Sequence, residues 1–91
     1  MPLKEATTNI GYQQIAPGAT STPLTVPVGA RIAVIQSEVA VMRWRDDGVA
    51  PSVTVGMRIL VGGELVYDGE LTKLRIIQEA AGAIANVSYY A

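Results

Sequence analysis

The chain contains neither cysteine nor histidine, and each absence removes a class of function. Without cysteine a protein forms no disulfide and has no thiol nucleophile, and without both residues it lacks the usual zinc ligands. Histidine is also the commonest general base near neutral pH. The composition therefore predicts a protein that is not an enzyme and that holds neither a metal nor a cofactor.

Charge of either sign is scarce as well. Seven basic residues stand against eight acidic ones, which gives a net charge of −1 at pH 7. Nucleic acid and anionic lipid surfaces attract strongly basic proteins, so we expect neither of them as a partner. No apolar run approaches the ~20 residues that span a bilayer. The first residues also lack the basic and apolar regions of a signal peptide, which predicts a protein made and retained in a cytoplasm.

What the chain does contain is enough apolar sequence for a folded domain. Its 91 residues are 49% hydrophobic and 16% charged, a balance that is typical of compact proteins and not of disordered ones. The length predicts a single domain over residues 1–91. Prolines and glycines recur through residues 1–30 and exclude a helix there. Within this part we expect residues 1–11 to form an extended polar arm, and residues 24–26 a short edge strand.

Alternating and β-branched residues dominate the chain after residue 30. Residues 32–35 and 39–45 predict two strands with a break near residues 36–38, because side chains on a strand alternate between its faces. In the second of these strands we assign Ala40, Met42 and Trp44 to the core face. Residues 53–61 show the cleanest alternation, and Gly56 marks a bulge or the start of a strand within it.

Glycine pairs mark the turns in the last third of the chain. Gly62-Gly63 and Asp68-Gly69 are typical hairpin dipeptides, and they predict a meander of three successive strands ending with residues 71–77. A final strand is expected over Ile84–Tyr90. The predicted fold is therefore all-β, an antiparallel and jelly-roll-like β-sandwich or a small barrel of seven or eight short strands without substantial helix.

One cluster of charged and aromatic residues stands out as a candidate interface. It consists of Arg43, Trp44, Arg45, Asp46 and Asp47, and arginine and tryptophan are both enriched at binding hot spots. The alternative is that the charged residues form a solvated strand face and that Trp44 packs in the core. The two aspartates suggest a cation site, but adjacent residues on a strand point to opposite faces, so a turn ending in Gly48 is the favoured interpretation.

Two adjacent tyrosines near the end of the chain are the second candidate. Tyr89 and Tyr90 alternate on the last predicted strand, so one ring should be buried and the other exposed. An exposed tyrosine serves an interface well because it joins an apolar ring to a hydrogen-bonding hydroxyl.

Several sequence blocks together resemble a known group of proteins. The blocks are residues 30–33, 41–48 (Val-Met-Arg-Trp-Arg-Asp-Asp-Gly), 50–52, 56–57, 65–67, 69–71 and 85–90 (Ala-Asn-Val-Ser-Tyr-Tyr). Over residues 20–91 the chain is similar to small virion-associated proteins of tailed bacteriophages and prophages, which are encoded among structural genes. The resemblance implies a family-specific turn at residues 43–51 and no catalytic residue. It also favours a loop over residues 52–56, which leaves the start of the following strand open between residues 53 and 57. The chain differs from such relatives in one detail, since Ser52 stands where they commonly have threonine.

The resemblance leads to three functional hypotheses. The first is a capsid decoration or cement protein that binds the major capsid protein, stabilises the head lattice and forms homo-oligomers in the virion. The second is a tail or fibre adaptor, or a module that binds the host surface. The third is a free carbohydrate- or peptide-binding β-module that uses Trp44 and the tyrosines as its platform.

Overall fold

A computed structural model describes residues 8–91, which form eight β-strands and one short 3₁₀ turn, Leu71–Lys73. The strands are β1 Asn9–Ile15, β2 Thr22–Pro23, β3 Ile32–Glu38, β4 Met42–Arg45, β5 Met57–Ile59, β6 Glu64–Tyr67, β7 Arg75–Gln78 and β8 Ile84–Tyr90. The last strand has the bounds that the alternation predicts.

The strands form two antiparallel sheets of four. Sheet A has the order β1-β8-β3-β6 and sheet B has the order β2-β7-β4-β5. The pairs β1 with β8, β2 with β7, β3 with β6 and β4 with β5 are nested one inside the other along the chain. This nesting across two sheets is the jelly-roll arrangement, and it confirms the predicted antiparallel sandwich.

The core lies between the sheets and follows the alternation of the strands. On β8 the side chains of Ala85, Val87 and Tyr89 are buried, whereas their neighbours on the other face are half-buried. Other fully buried side chains are those of Ile35 on β3, Met42 on β4, Ile76 on β7 and Leu74 before it. The two inner faces supply most of the apolar burial that stabilises such a sandwich.

The chain crosses from sheet A to sheet B at a sharp corner after β3. The corner lies at Val39, which has φ +74° and is the one non-glycine residue with positive φ in the described part of the chain. The buried Ser37 hydroxyl donates to the Ala40 carbonyl oxygen at 2.6 Å and holds the corner closed. The break predicted near residues 36–38 therefore falls later, since β3 continues to Glu38.

The predicted meander is wrong. Strands β5, β6 and β7 follow one another in sequence but lie alternately in sheets B, A and B. The Gly62-Gly63 and Asp68-Gly69 turns do exist, yet each carries the chain between sheets and neither closes a hairpin. Backbone hydrogen bonds from Gly62 to Ser37 (2.8 Å) and from Ser37 to Gly63 (3.2 Å) fix the first turn against β3.

Four other strands differ from their predicted bounds, and the arm is described only in part. Strand β4 begins at Met42 and not at residue 39, and β7 spans Arg75–Gln78 and not residues 71–77. The strand expected within residues 53–61 is reduced to Met57–Ile59, and the short edge strand lies at Thr22–Pro23 and not at residues 24–26. Of the arm expected over residues 1–11, residues 1–7 lie outside the described residues, and residues 9–11 belong to β1.

Candidate functional site

Exposed apolar side chains concentrate between the end of β4 and the start of β6. Nine large apolar side chains are exposed among the described residues, and six of them lie in this stretch, each 45–62% exposed. The six are Val49, Val53, Val55, Met57, Leu60 and Val61. We call residues 49–61 the apolar segment. Exposed apolar side chains concentrated in this way are typical of an interaction site.

The tip of the apolar segment is held by its own hydrogen bonds. The backbones of Ser52 and Val55 exchange two hydrogen bonds, at 2.9 and 3.3 Å. The Ser52 hydroxyl oxygen also accepts from the amides of Thr54 (3.3 Å) and Val55 (3.0 Å). Pro51, at the base of the tip, is buried. The exposed valines are therefore presented by an ordered turn.

Gly56 lets the apolar segment lie directly against β4. Its φ is +142°, and a Cβ atom there would lie 3.1 Å from the Trp44 carbonyl oxygen and 3.2 Å from the Arg43 Cβ atom. Any larger residue would have to displace backbone as well as adopt a strained conformation. The Arg43 guanidinium donates to the Gly56 carbonyl oxygen at 3.0 Å, which ties the end of the tip to the strand.

The Glu79 carboxylate binds both Arg43, which holds Gly56, and Arg58 on β5. Glu79 accepts from Arg43 Nε at 3.0 Å and from both Nε and Nη2 of Arg58 at 3.0 Å. The hydrogen bonds from Arg58, with the charges of both arginines, lower the pKa of Glu79 in spite of its partial desolvation. Because Arg43 lies on β4 and Arg58 on β5, the carboxylate joins the two strands on the outer face of sheet B.

The Trp44 ring is positioned by Tyr67, which is itself held by Asp46. The two rings meet edge to face, with centroids 5.7 Å apart and planes at 67°. The Tyr67 hydroxyl donates to Asp46 Oδ2 at 2.6 Å. Burial, assisted by this hydrogen bond to a carboxylate, raises the pKa of Tyr67 to about 12. Trp44 is consequently a half-buried side chain with a set orientation, packed against the core at its margin.

A shallow groove of about 570 Å³ opens beside Trp44. It is lined by Trp44, Arg45, Asp46, Asp47, Val55, Gly56 and Met57. Its rim is charged, because Arg45 Nε donates to Asp47 Oδ1 at 3.0 Å. This pair raises the pKa of Arg45 and lowers that of Asp47. A groove with an apolar floor and a partly solvated ion pair at its edge is typical of a protein-binding surface.

The predicted site residues separate into two groups. Trp44, Arg45, Asp46 and Asp47 line the groove, and Asp46 also accepts from Tyr67. Arg43 does not line it and instead braces the Gly56 carbonyl oxygen. Tyr89 and Tyr90 lie on β8 in sheet A. The structure does not unite Trp44 with these tyrosines in one aromatic platform.

The two adjacent tyrosines have different environments, as their alternation predicts. Tyr89 is buried, its hydroxyl donates to Gln13 Oε1 at 2.5 Å, and burial raises its pKa to about 12. Tyr90 is half-buried on the outer face, near the Ser88 hydroxyl at 3.5 Å. Only Tyr90 is therefore open to a partner.

Sequence reasoning missed the residues that complete the site. The alternation over residues 53–61 predicts a strand, but residues 53–56 lie outside β5 and the side chains of Val53 and Val55 are exposed. Glu79 and Tyr67 are distant from the cluster in sequence and give no local signal. Gly56 was the available sign, since a glycine inside an alternating run commonly marks a break or a close backbone approach.

Comparison with known proteins gives no match to a family model, to a curated protein or to a solved structure. Residues 8–91 include no helix that is long and apolar enough to cross a membrane. Within the same residues no three acidic side chains gather where they could hold a metal ion.

Proposed function

We propose that this chain is a structural protein of a bacteriophage virion, a decoration or cement protein that binds the capsid lattice and stabilises it. The observation that carries the proposal is the apolar segment, which is exposed, ordered and placed beside Trp44. The resemblance to virion-associated proteins adds support, and jelly rolls recur among viral capsid domains. Because one fold serves many functions, the proposal depends on this surface and not on the fold.

The surface suits a cement protein for a physical reason. Its tip is already held by Ser52 and by Arg43. Binding would therefore immobilise few further rotatable bonds and would lose little conformational entropy. Val53, Val55 and Met57 would fill apolar depressions between capsid subunits, with the Arg45 and Asp47 pair at the wet rim. A protein seated across two subunits adds its own contacts to the energy needed to separate them.

The partner in this proposal is the major capsid protein or another protein of the virion. Quantitative mass spectrometry of purified virions from the source genome tests it by giving copies of this chain per copy of the major capsid protein. A ratio of one, or a simple fraction of it, is the expected result. A handful of copies per virion would replace the proposal with a tail or fibre adaptor, and complete absence from virions would overturn both.

A reconstitution experiment tests the surface itself. The double variant Val55→Lys/Met57→Lys places charge on two exposed side chains of the apolar segment, and it should bind capsids that lack this protein at least about tenfold more weakly than the wild type. The control is Thr20→Lys/Val28→Lys, which adds the same charge at two other exposed positions. Equal binding by the two variants would remove the apolar segment as the contact.

Capsid stability gives a second, independent readout. Capsids without the protein should disassemble at lower temperature or lower ionic strength than capsids to which it has been restored. Addition of the Thr20→Lys/Val28→Lys variant should restore resistance, and addition of Val55→Lys/Met57→Lys should not. Capsids that are equally resistant with and without the protein would contradict a cement role.

A further inference from the structure

A second surface, the free edge of β1, is unlike the other edges of the sandwich. Among residues 8–91, β8 is the one strand that pairs with β1, so within these residues the opposite side of β1 has no strand beside it. Residues 11–15 pair with β8 in regular register, and the irregularity of the strand is confined to its start between Asn9 and Gly11. The backbone amides and carbonyls on the outer side of this regular stretch have no strand to pair with.

The three other edge strands carry features that prevent pairing with another chain. Strand β2 has two residues and includes Pro23, β5 has three and includes Arg58, and β6 has four and includes Glu64. Short length, proline and charge are the usual means by which proteins protect sheet edges. Strand β1 has seven residues, Asn-Ile-Gly-Tyr-Gln-Gln-Ile, with no proline and no charged side chain.

We infer that β1 is a self-association edge, at which a second copy of this chain pairs antiparallel through its own β1. The two four-stranded sheets A would then join into one continuous sheet. A two-fold axis at Gln13 places residues 11–15 of one copy opposite residues 15–11 of the other. This pairing does not depend on the proposed role in the virion, because it uses the edge opposite the apolar segment's strand β5.

The side chains beside this edge fit a second copy of the same chain. In the two-fold arrangement Tyr12 faces Gln14 of the second copy, and an uncharged pair of this kind meets without repulsion. Both side chains are already oriented, since the Tyr12 hydroxyl and Gln14 Nε2 donate to Asn86 Oδ1 at 2.7 and 2.9 Å. Less side-chain entropy is therefore lost when the copies meet.

Strand pairing is also self-complementary in a way that favours a copy over an unrelated partner. An isologous two-fold contact offers each donor of one strand the matching acceptor of the other. On the inner side, Gln13 Oε1 accepts from the Tyr89 hydroxyl and from the Thr25 amide at 3.1 Å, so the side chain at the axis stays inside its own subunit. The outer backbone of β1 is left to supply the contact.

Sedimentation velocity of the full chain over a concentration series tests the inference. One chain has a mass of 9.6 kDa, and the expected result is a reversible species of twice that mass. The variant Tyr12→Lys/Gln14→Lys places lysines along the edge and should raise the dissociation constant of the dimer by at least about tenfold. The matched control, Thr20→Lys/Val28→Lys, should dimerise as the wild type does.

Each other outcome overturns the inference. A chain that remains a monomer to about millimolar concentration has no self-association edge. A dimer that survives Tyr12→Lys/Gln14→Lys but is lost in Val55→Lys/Met57→Lys associates through the apolar segment instead. If both the edge variant and its control lose the dimer, net charge and not the edge governs association.

Hydrogen exchange of the wild type keeps the test independent of how well the variants fold. If β1 pairs with a second copy, the amides of residues 11–15 that do not bond to β8 become protected as concentration rises. Protection that is unchanged across the concentration series, at concentrations where a dimer sediments, would place the contact elsewhere.

Discussion

The two sheets of this jelly roll differ in the lengths of their strands. In sheet A three of the four strands have seven residues, whereas no strand of sheet B has more than four. The residues that do not enter strands of sheet B form the long connection between β4 and β5, where exposed valines are held by Ser52, Gly56 and Arg43. Regular pairing thus builds the scaffold in one sheet, and irregular chain in the other builds the candidate binding surface.

The largest effect expected from this comparison concerns the core. Ile35 in sheet A is fully buried, so Ile35→Ala should lower the free energy of unfolding by about 2–5 kcal/mol. Val55→Ala, in the apolar segment, should change it by less than about 0.5 kcal/mol because that side chain is half in water. Urea denaturation of both variants measures the difference. Equal losses would mean that the apolar segment belongs to the cooperative core.

A smaller effect is expected from the glycine that seats the apolar segment. Gly56→Ala should cost about 1–3 kcal/mol, because a non-glycine residue is strained there and its Cβ would meet the backbone of β4. The control is Gly62→Ala, where φ is +77° but no atom lies within 4 Å of the added carbon. The excess cost of Gly56→Ala over Gly62→Ala in thermal unfolding measures the contact with β4 together with the greater backbone strain at φ +142°. No excess would mean that the segment moves away at little cost.

Alkaline pH should weaken the fold through two buried tyrosines, both of which lie in sheet A. The pKa of Tyr67 and of Tyr89 is raised to about 12 from an ordinary value of 10.0, and the neutral phenol is the form that the fold favours. The stabilisation is thus complete below pH 10 and is lost as the pH rises towards 12. Phenolate absorbance and urea midpoints between pH 9 and 12 follow this loss.

Two variants show how much each tyrosine contributes to the loss of stability at alkaline pH. Tyr67→Phe and Tyr89→Phe should each remove one late-titrating phenol and reduce the alkaline loss of stability. If all tyrosines ionise near pH 10 while the protein stays folded, neither ring is as buried as described.

The smallest effect is expected at acidic pH and concerns the brace behind the apolar segment. The pKa of Glu79 is lowered from its ordinary value of 4.5, so its ionised form stabilises the fold above that pH. The contribution is lost as the pH falls from about 4.5 through the lowered value, because the unfolded chain takes up the proton first. Glu79→Gln should show a shallower dependence of the urea midpoint on pH between 3 and 6. An identical dependence in the variant and the wild type would show that the two arginines do not need this carboxylate.

Much of the fold could be predicted from local pattern. The alternation over Ile84–Tyr90 placed the last strand correctly, and the glycine pairs marked real turns. The period of two also assigned Met42 to the core. These features depend on neighbouring residues alone, so a single sequence is enough to reveal them.

The candidate site was only partly predictable. The cluster around Trp44 was visible because its charged residues are adjacent in sequence. Its supports were not visible, since Tyr67 reaches the cluster from β6 and Glu79 from the residue after β7. The apolar segment was misread because alternation identifies two faces of a chain without saying whether either face is covered.

The sequence by itself determined that this chain is an all-β domain with short strands, turns at its glycines and one buried ring among its last two tyrosines. Those features follow from backbone sterics and from the alternation of apolar residues. The tertiary structure alone decided that β5, β6 and β7 alternate between sheets, that β1 is left with a free edge and that Val53 and Val55 face water. These outcomes depend on which distant strands pair, and pairing is set by the sum of many long-range contacts that no local pattern encodes.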